Sequence, residues 1–580
     1  MCRRLLICSG KAKLSFARTA TAWPLSVGVL LASATLVGCL LNRPAGLPSS
    51  YWMTVKAMVD GQSGWAFPTV PTVDGRLIDK PPVYFWLAAA AVRFLGAHLW
   101  SVRLPDALAG VLSVGLVLIL LRPYGRRPML VGSSILALTP AWLLAASTTP
   151  MEPILLCFML TVTLCITQWR RHGHPSWLLG AAMAMAVAFN TKEWAAVLAV
   201  PSWVLLVSTS GRFREQRTWL LRAVGLAAVL SFAWAIVAAV SPVGTAVSYS
   251  EGSIWSSIFG YNGLGRLSFS PGPFSAGNPF APPIEPKPML APGIGWWLSG
   301  TAPLIWLASL PLMPLGLAIA IRQASDWTEG QTFLLACAVW FVSVIAAYAL
   351  VAVPLPQYLD EAIPPLALSA GLAFRQTAND CSACPLWIRL GRLGPTVSLG
   401  ASRLFRRVGM AIGVTSVLGW SAFCWWGTHH MWVALAPAFV GATMLIRRKG
   451  LLAVATAAAL CSAGLEDAAI LQFWGRSEPW PALEQAVQKD ARGLVLTSDL
   501  WTAADLSLNA RVAARSVLDN YGRRAVLGVS DVAQLVEAGD VNVFVSAPQL
   551  KLAAPDTFAW VLAHATTVEQ FGPYELIRFG

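Results

Sequence analysis

Long apolar runs alternate with short polar connectors along most of this chain, and only the segment from about residue 476 breaks the rhythm. Runs recur near 23–42, 103–121, 128–147, 152–168, 176–190, 194–209 and 218–240, then near 295–320, 331–353, 359–375, 409–427, 430–446 and 451–472. A helix needs about 20 apolar residues to cross a bilayer upright, so each run reads as a membrane span, the shorter ones with soft ends. A further run at 82–97, Pro-Pro-Val-Tyr-Phe-Trp through Gly96, needs a different reading.

Positive charge supplies that reading. Arg122/Arg126/Arg127, Arg170/Arg171 and Arg212/Arg214/Arg217 fall between early spans; Arg322, Arg389/Arg392/Arg403/Arg406/Arg407 and Arg447/Arg448/Lys449 fall between later ones. With the N-terminus inside, every one of these loops lands on the inner side, provided 82–97 is not counted as a crossing. The prediction is therefore about thirteen spans, with 82–97 as an interfacial or re-entrant helix on the outer face. Arg3, Arg4, Lys11, Lys13 and Arg18 ahead of the first run predict a retained signal-anchor helix. The outer side then receives a loop at 43–102, a Gly/Pro/Ser-rich loop at 241–294 and the C-terminal tail.

Composition agrees: 56% of the 580 residues are hydrophobic and 12% charged, a balance that excludes a soluble globular fold. The net charge of +14 lies in clusters between apolar runs, which reads as orientation signal and not as a nucleic-acid surface. The ten cysteines form no framework, and the lone Cys381-x-x-Cys384 pair lacks the second pair or histidines of a zinc site. In the tail, 493–498, 513–518 and 541–545 read as strands, with helices at 502–509 and 531–538 between them. The chain thus divides into an all-α polytopic membrane domain, 1–475, and a small α/β domain, 476–580. That second unit shows no Gly-rich phosphate loop and reads as accessory support or acceptor binding.

Charged residues in the outer loops carry the candidate chemistry. Asp74-Gly-Arg-Leu-Ile-Asp79-Lys80-Pro-Pro packs two carboxylates and two cations between apolar runs. Asp74 could simply make a turn, and Asp79 before Pro-Pro could cap a helix. Lys80 at that helix start instead suits an anionic ligand. Glu152, between Pro150 and Pro153 at the outer start of a span, is a helix-start acid or an acid, base or cation ligand. Lys192 could pair with Glu193 in a tight turn or reach a phosphate. Gly260-Tyr261-Asn262-Gly-Leu-Gly-Arg266 forms a turn whose Arg266 is an anion donor and whose Tyr261 and Asn262 could hydrogen-bond a sugar. Tyr358, Asp360 and Glu361 open a later span, and His429/His430 read as a surface pair.

The order of these motifs, Asp-Lys-Pro-Pro with aromatics, Arg-Leu-Pro-Asp-Ala-Leu-Ala-Gly, the Pro-Glu-Pro span start, Thr-Lys before a span and Tyr-Asn-Gly, resembles the polyprenol-phosphate-sugar-dependent glycosyltransferases of the GT-C fold. It is most similar to the bacterial relatives of protein O-mannosyltransferase and aminoarabinose transferase. The resemblance implies a multi-pass protein of the bacterial cytoplasmic membrane with its N-terminus cytoplasmic and its C-terminal domain extracytoplasmic. It implies a polyprenyl-phosphate-linked sugar donor, an envelope acceptor (lipid, glycan or protein) and inversion at the anomeric carbon. Lys80, Lys192 and Arg266 would bind the donor phosphate. Asp79, Asp74 or Glu152 would be catalytic, and Tyr261, Asn262 and Tyr358 would bind sugar or acceptor. No cofactor is implied, and a divalent metal stays open. Two departures stand out: 47–52 carries no acid where many members have one, and Pro356-Gln357-Tyr358-Leu359 stands where relatives often show His-Pro-Tyr-Tyr, so the tyrosine survives and the histidine does not. The rival readings are a transporter or flippase, which would show internal repeats and midplane polar residues, and a non-catalytic lipid-binding or scaffold member.

Overall fold

The computed structural model describes residues 23–41, 49–69, 77–148, 151–242, 247, 253–266, 329–350 and 360–379 of the helical part. In the C-terminal part it describes 480–498, 502–503, 506–510, 512–518, 525, 527–572 and 574–580. The runs read at 295–320, 409–427, 430–446 and 451–472, the Cys381–Cys384 pair, His429/His430, Asp74 and Tyr358 lie outside the described residues.

The first helix, α1 (Trp23–Leu40), is followed by the short α2 (Ser49–Val59) and α3 (Val83–Leu95). Next come α4 (Leu99–Leu121), α5 (Arg126–Ala137), α6 (Pro140–Thr148), α7 (Glu152–His172) and α8 (Ser176–Lys192). A tight 3-10 segment, Glu193–Ala199, leads from α8 straight into α9 (Val200–Ser208), followed by α10 (Arg217–Val240), α11 (Glu329–Ala349) and α12 (Ile363–Asn379).

Among the described residues, four helical stretches are long and apolar enough to cross a membrane: Leu99–Tyr124, Glu152–His172, Arg217–Val240 and Glu329–Tyr348. At 13 residues α3 is too short to do so. The run at 128–147 is built as two helices, α5 and α6. The chain leaves helical geometry at Leu138 (φ −106°, ψ 6°) ahead of Pro140, whose ring disfavours helix in the residue before it. The run at 194–209 likewise divides into the 3-10 segment and α9.

The main core is built where α4 to α9, α11 and α12 pack together around Trp142, Leu155, Phe189, Phe333, Trp340 and Leu366. A second core joins α2 and α3 to α4 and to the start of α7 through Trp52, Ile78, Tyr84, Phe85, Val102 and Ile154. A third small cluster joins Leu77, Val247, Ile254 and Ile258 to Ala235 and Ala238 of α10. The last two bracket the segment that carries Asp79 and Lys80.

The C-terminal part holds α13 (Trp480–Asp490), β1 (Val495–Thr497), β2 (Ala514–Ser516), α14 (Val529–Glu537), β3 (Val543–Ser546), α15 (Pro548–Ala553), α16 (Pro555–Ala563), β4 (Thr567–Phe571) and β5 (Tyr574–Arg578). The sheet order is β2-β1-β3-β5-β4, with β2, β1 and β3 parallel and β5 antiparallel to both β3 and β4. Separate apolar clusters around Phe544 and Val543 use alternate residues of β3, as the two faces of one strand must.

Candidate functional site

Asp79 and Lys80 lie on an extended segment held from both sides. Leu77 bridges Thr69 in one direction and Val247 in the other, and the Ile78 N–H donates to Pro68 O at 2.9 Å. The helix expected to start at Pro81-Pro82 starts at Val83, and no side chain caps it. Asp79 is therefore not an N-cap. The tandem prolines hold the preceding backbone out of helical geometry, and the carboxylate turns to Lys80, whose Nζ lies 2.9 Å from Asp79 Oδ2.

Asn262 completes this group from 182 residues away. It sits at the end of a wide helical turn, Ser256–Tyr261. Its carbonyl oxygen accepts from Lys80 Nζ, and its amide nitrogen donates to Asp79 O at 2.7 Å and to Glu193 Oε1 at 3.4 Å. The Tyr261 ring stands 5.7 Å from the Lys80 ammonium, within cation–π range. Trp194 Nε1 donates to Ile258 O at 2.7 Å and anchors the turn to the end of α8.

The neighbouring residue of the α8 terminus builds a second group. Lys192 Nζ lies 2.7 Å from Glu152 Oε1 at the start of α7 and 3.4 Å from Glu361 Oε1 in the turn before α12. Tyr348 on α11 donates its hydroxyl to Glu361 Oε2 at 2.5 Å. Lys192 and Glu193 thus face two different groups, which places the groups side by side. Glu193 takes a positive φ of 33° at this junction, a conformation non-glycine residues rarely hold outside functional turns.

Both groups are shut away from water. Asp79, Lys80, Glu152, Glu193, Asp360 and Glu361 are all buried. Two oxygens are left over: Asp79 Oδ1 and Glu152 Oε2 are buried without a hydrogen-bond partner among the described residues. A buried carboxylate oxygen with no donor costs free energy unless something else approaches it.

Of the residues singled out in the sequence, the fold brings together Asp79, Lys80, Glu152, Lys192, Tyr261 and Asn262. The backbone of Arg266 lies in a tight turn, Leu264–Arg266, on the same loop as Asn262, and its side chain is outside the described set. Glu193, read only as a partner for Lys192, and Asp360 and Glu361, read as helix-start acids, join the cluster. Asp106 and Tyr348 were passed over. The signal for Asp106 was present, a carboxylate after Pro105 inside an apolar run.

Residues 79–234 match the family profile described as dolichyl-phosphate-mannose-protein mannosyltransferase. The crystal structure of ArnT from Cupriavidus metallidurans bound to undecaprenyl phosphate superposes with a TM-score of 0.66 at 18% identity, over 96% of this chain and 98% of that one. The chain therefore has the GT-C fold. This GT-C chain is also 30% identical over 260 residues, 44% of its length, to YkcB of Bacillus subtilis (strain 168), provisionally named a mannosyltransferase. It is 28% identical over 309 residues, 51% of its length, to undecaprenyl phosphate-alpha-4-amino-4-deoxy-L-arabinose arabinosyl transferase 1 of Pseudomonas fluorescens (strain Pf0-1). The matched regions span 36% and 48% of these relatives. The profile begins at Asp79 and takes in Lys80, Glu152, Lys192 and Glu193, so most of both charged groups falls inside it.

Proposed function

We propose that this GT-C protein is a membrane glycosyltransferase that moves a sugar from a polyprenyl phosphate to an envelope acceptor, inverting the anomeric centre. The observation that carries the reading is the pairing of a buried lysine, Lys80, and a partly buried one, Lys192, with two buried carboxylates that each keep one unpartnered oxygen, at Asp79 and Glu152. Phosphate release needs fixed positive charge, and acceptor attack needs a base; this arrangement supplies both. ArnT from Cupriavidus metallidurans binds undecaprenyl phosphate, which supports a lipid phosphate as donor.

In this reading Lys80 and Lys192 hold the donor phosphate, with Arg266 as a third cation from the neighbouring loop. An acceptor hydroxyl attacks the anomeric carbon as the carbon–oxygen bond to phosphate breaks. Its proton passes to Asp79 or Glu152, and polyprenyl phosphate leaves carrying the bonding electrons. Charge developing on the leaving phosphate meets ammonium groups already in place, so little reorganisation is needed at the moment of reaction. Asp74 is an alternative base, and Tyr261, Asn262 and Tyr358 orient sugar or acceptor. The site faces the outer side, with about thirteen spans, a cytoplasmic N-terminus and the 476–580 domain outside, because the arginine-rich loops then all lie within. Buried charge gathered at helix ends, with no internal repeat in the sequence, favours this over a transporter.

The test is donor consumption by the purified protein across a panel of polyprenyl-phosphate sugars. The expected result is turnover of one donor in wild type, with Asp79→Asn or Glu152→Gln reducing kcat by about 100- to 10,000-fold, the range of a general base. The absence of turnover with every donor, in protein that is folded and inserted, would overturn the proposal.

A further inference from the structure

We propose that Asp106 is a positioning residue for Glu152, a carboxylate on one membrane helix that caps the start of another and thereby sets where Glu152 points. Its catalytic meaning rests on the glycosyltransferase reading; its structural part does not.

Helix α7 begins in an unusual way. Its N-cap is Met151, which has no side-chain oxygen and makes no cap hydrogen bond of its own. The next residues are Glu152 and Pro153, so the second helical position has no N–H and the third, Ile154, carries an orphan donor. Asp106 meets this need from α4. Its Oδ1 accepts the Met151 N–H at 3.1 Å, and the Ile154 amide also faces the carboxylate. The cap that α7 lacks in its own sequence is supplied by another helix.

The same contact holds a strained backbone. Met151 has φ 82°, in the left-handed region that an unbranched but bulky side chain seldom enters. Such a residue persists only where its surroundings over-determine it. Here the Asp106 contact fixes its N–H, while its carbonyl already accepts from Leu155 at 2.9 Å. Met151 is itself buried among Trp52, Tyr84 and Ile154. Turning the chain at Met151 sends Glu152 to Lys192 with Oε1 and leaves Oε2 unpartnered. Without the cap, Met151 has an inexpensive route back to negative φ, and Glu152 rotates with it.

Asp106 is 3% exposed and sits inside an apolar helix, a costly place for a carboxylate that only filled space. It requires an acceptor oxygen and not a proton-transfer role, which distinguishes asparagine from alanine at this position.

The experiment uses full-length Asp106→Asn and Asp106→Ala in lipid nanodiscs. Hydrogen exchange of the peptide covering Met151–Leu155 reads the cap directly: the alanine variant exchanges about fivefold faster or more, as expected for a lost cap, and the asparagine variant stays near wild type. With the donor that wild type consumes, alanine lowers kcat about 100-fold, the effect of misplacing a reacting group by about 1 Å, and leaves the donor KM within about twofold. Asparagine restores most of that loss. Wild-type exchange in the alanine variant, or an asparagine variant as inactive as alanine, overturns the proposal. If wild type consumes no donor, the glycosyltransferase reading fails while the exchange result still decides the cap.

Discussion

Lys192 Nζ and Glu152 Oε1 meet at 2.7 Å, joining the last residue of α8 to the first of α7. The same ammonium reaches Glu361, so one cation ties three helix ends and separates two buried carboxylates. Removing it strands both. Lys192→Met is therefore expected to cost about 3–5 kcal/mol, the range for breaking a buried pair from one side. Thermal unfolding in detergent checks this, and adding Glu152→Gln should restore part of the loss because one stranded charge is gone. A Lys192→Met protein that unfolds with wild type would mean the pair does not hold the helices.

Asn262 acts on Lys80 from a distant loop. It presents an acceptor to the Lys80 ammonium and a donor to the Asp79 carbonyl, so it fixes both residues at once. Asn262→Ala removes a hydrogen bond to a charged group, worth about 1.5–3 kcal/mol. That corresponds to a loss in kcat/KM of about 10- to 150-fold, measurable by steady-state kinetics with the consumed donor. An unchanged kcat/KM would detach the Tyr261-Asn262 turn from the site.

Helix positions were legible because the apolar runs are long: Glu152–His172, Arg217–Val240 and Glu329–Ala349 cover runs visible in the sequence. Helix breaks were less so. The 128–147 run carries no charged residue, and the break falls at Leu138, ahead of Pro140. The site was half legible for a similar reason. Charge in an apolar setting identifies Asp79, Lys80, Glu152 and Lys192, but sequence adjacency suggested that Lys192 and Glu193 served each other. The fold sends Lys192 to Glu152 and Glu193 to Asn262, because the 3-10 turn with its positive φ rotates one against the other. Long-range pairs such as Lys80 with Asn262 leave no local pattern at all.

The α5–α12 contact tests whether the helices around the site depend on close approach. Gly371 of α12 lies against α5, and a methyl group there would stand 2.6 Å from Pro128 O and 3.4 Å from Gly132 Cα. Backbone cannot yield as a side-chain tip can, so Gly371→Ala must push the helices apart. Small residues at such crossings let membrane helices pack closely, which matters where no hydrophobic force drives association. The expected cost is about 1–3 kcal/mol, seen as a lower melting temperature. Gly225 in α10 is the control, since nothing lies within 4 Å of its added methyl. There alanine favours the helix by up to about 1 kcal/mol. α12 is preceded by Asp360 and Glu361, so displacing it should also loosen the Lys192–Glu361 contact and steepen the activity loss beyond the stability loss. A Gly371→Ala protein that melts and turns over like the Gly225→Ala control would show that this crossing does not set the site's geometry.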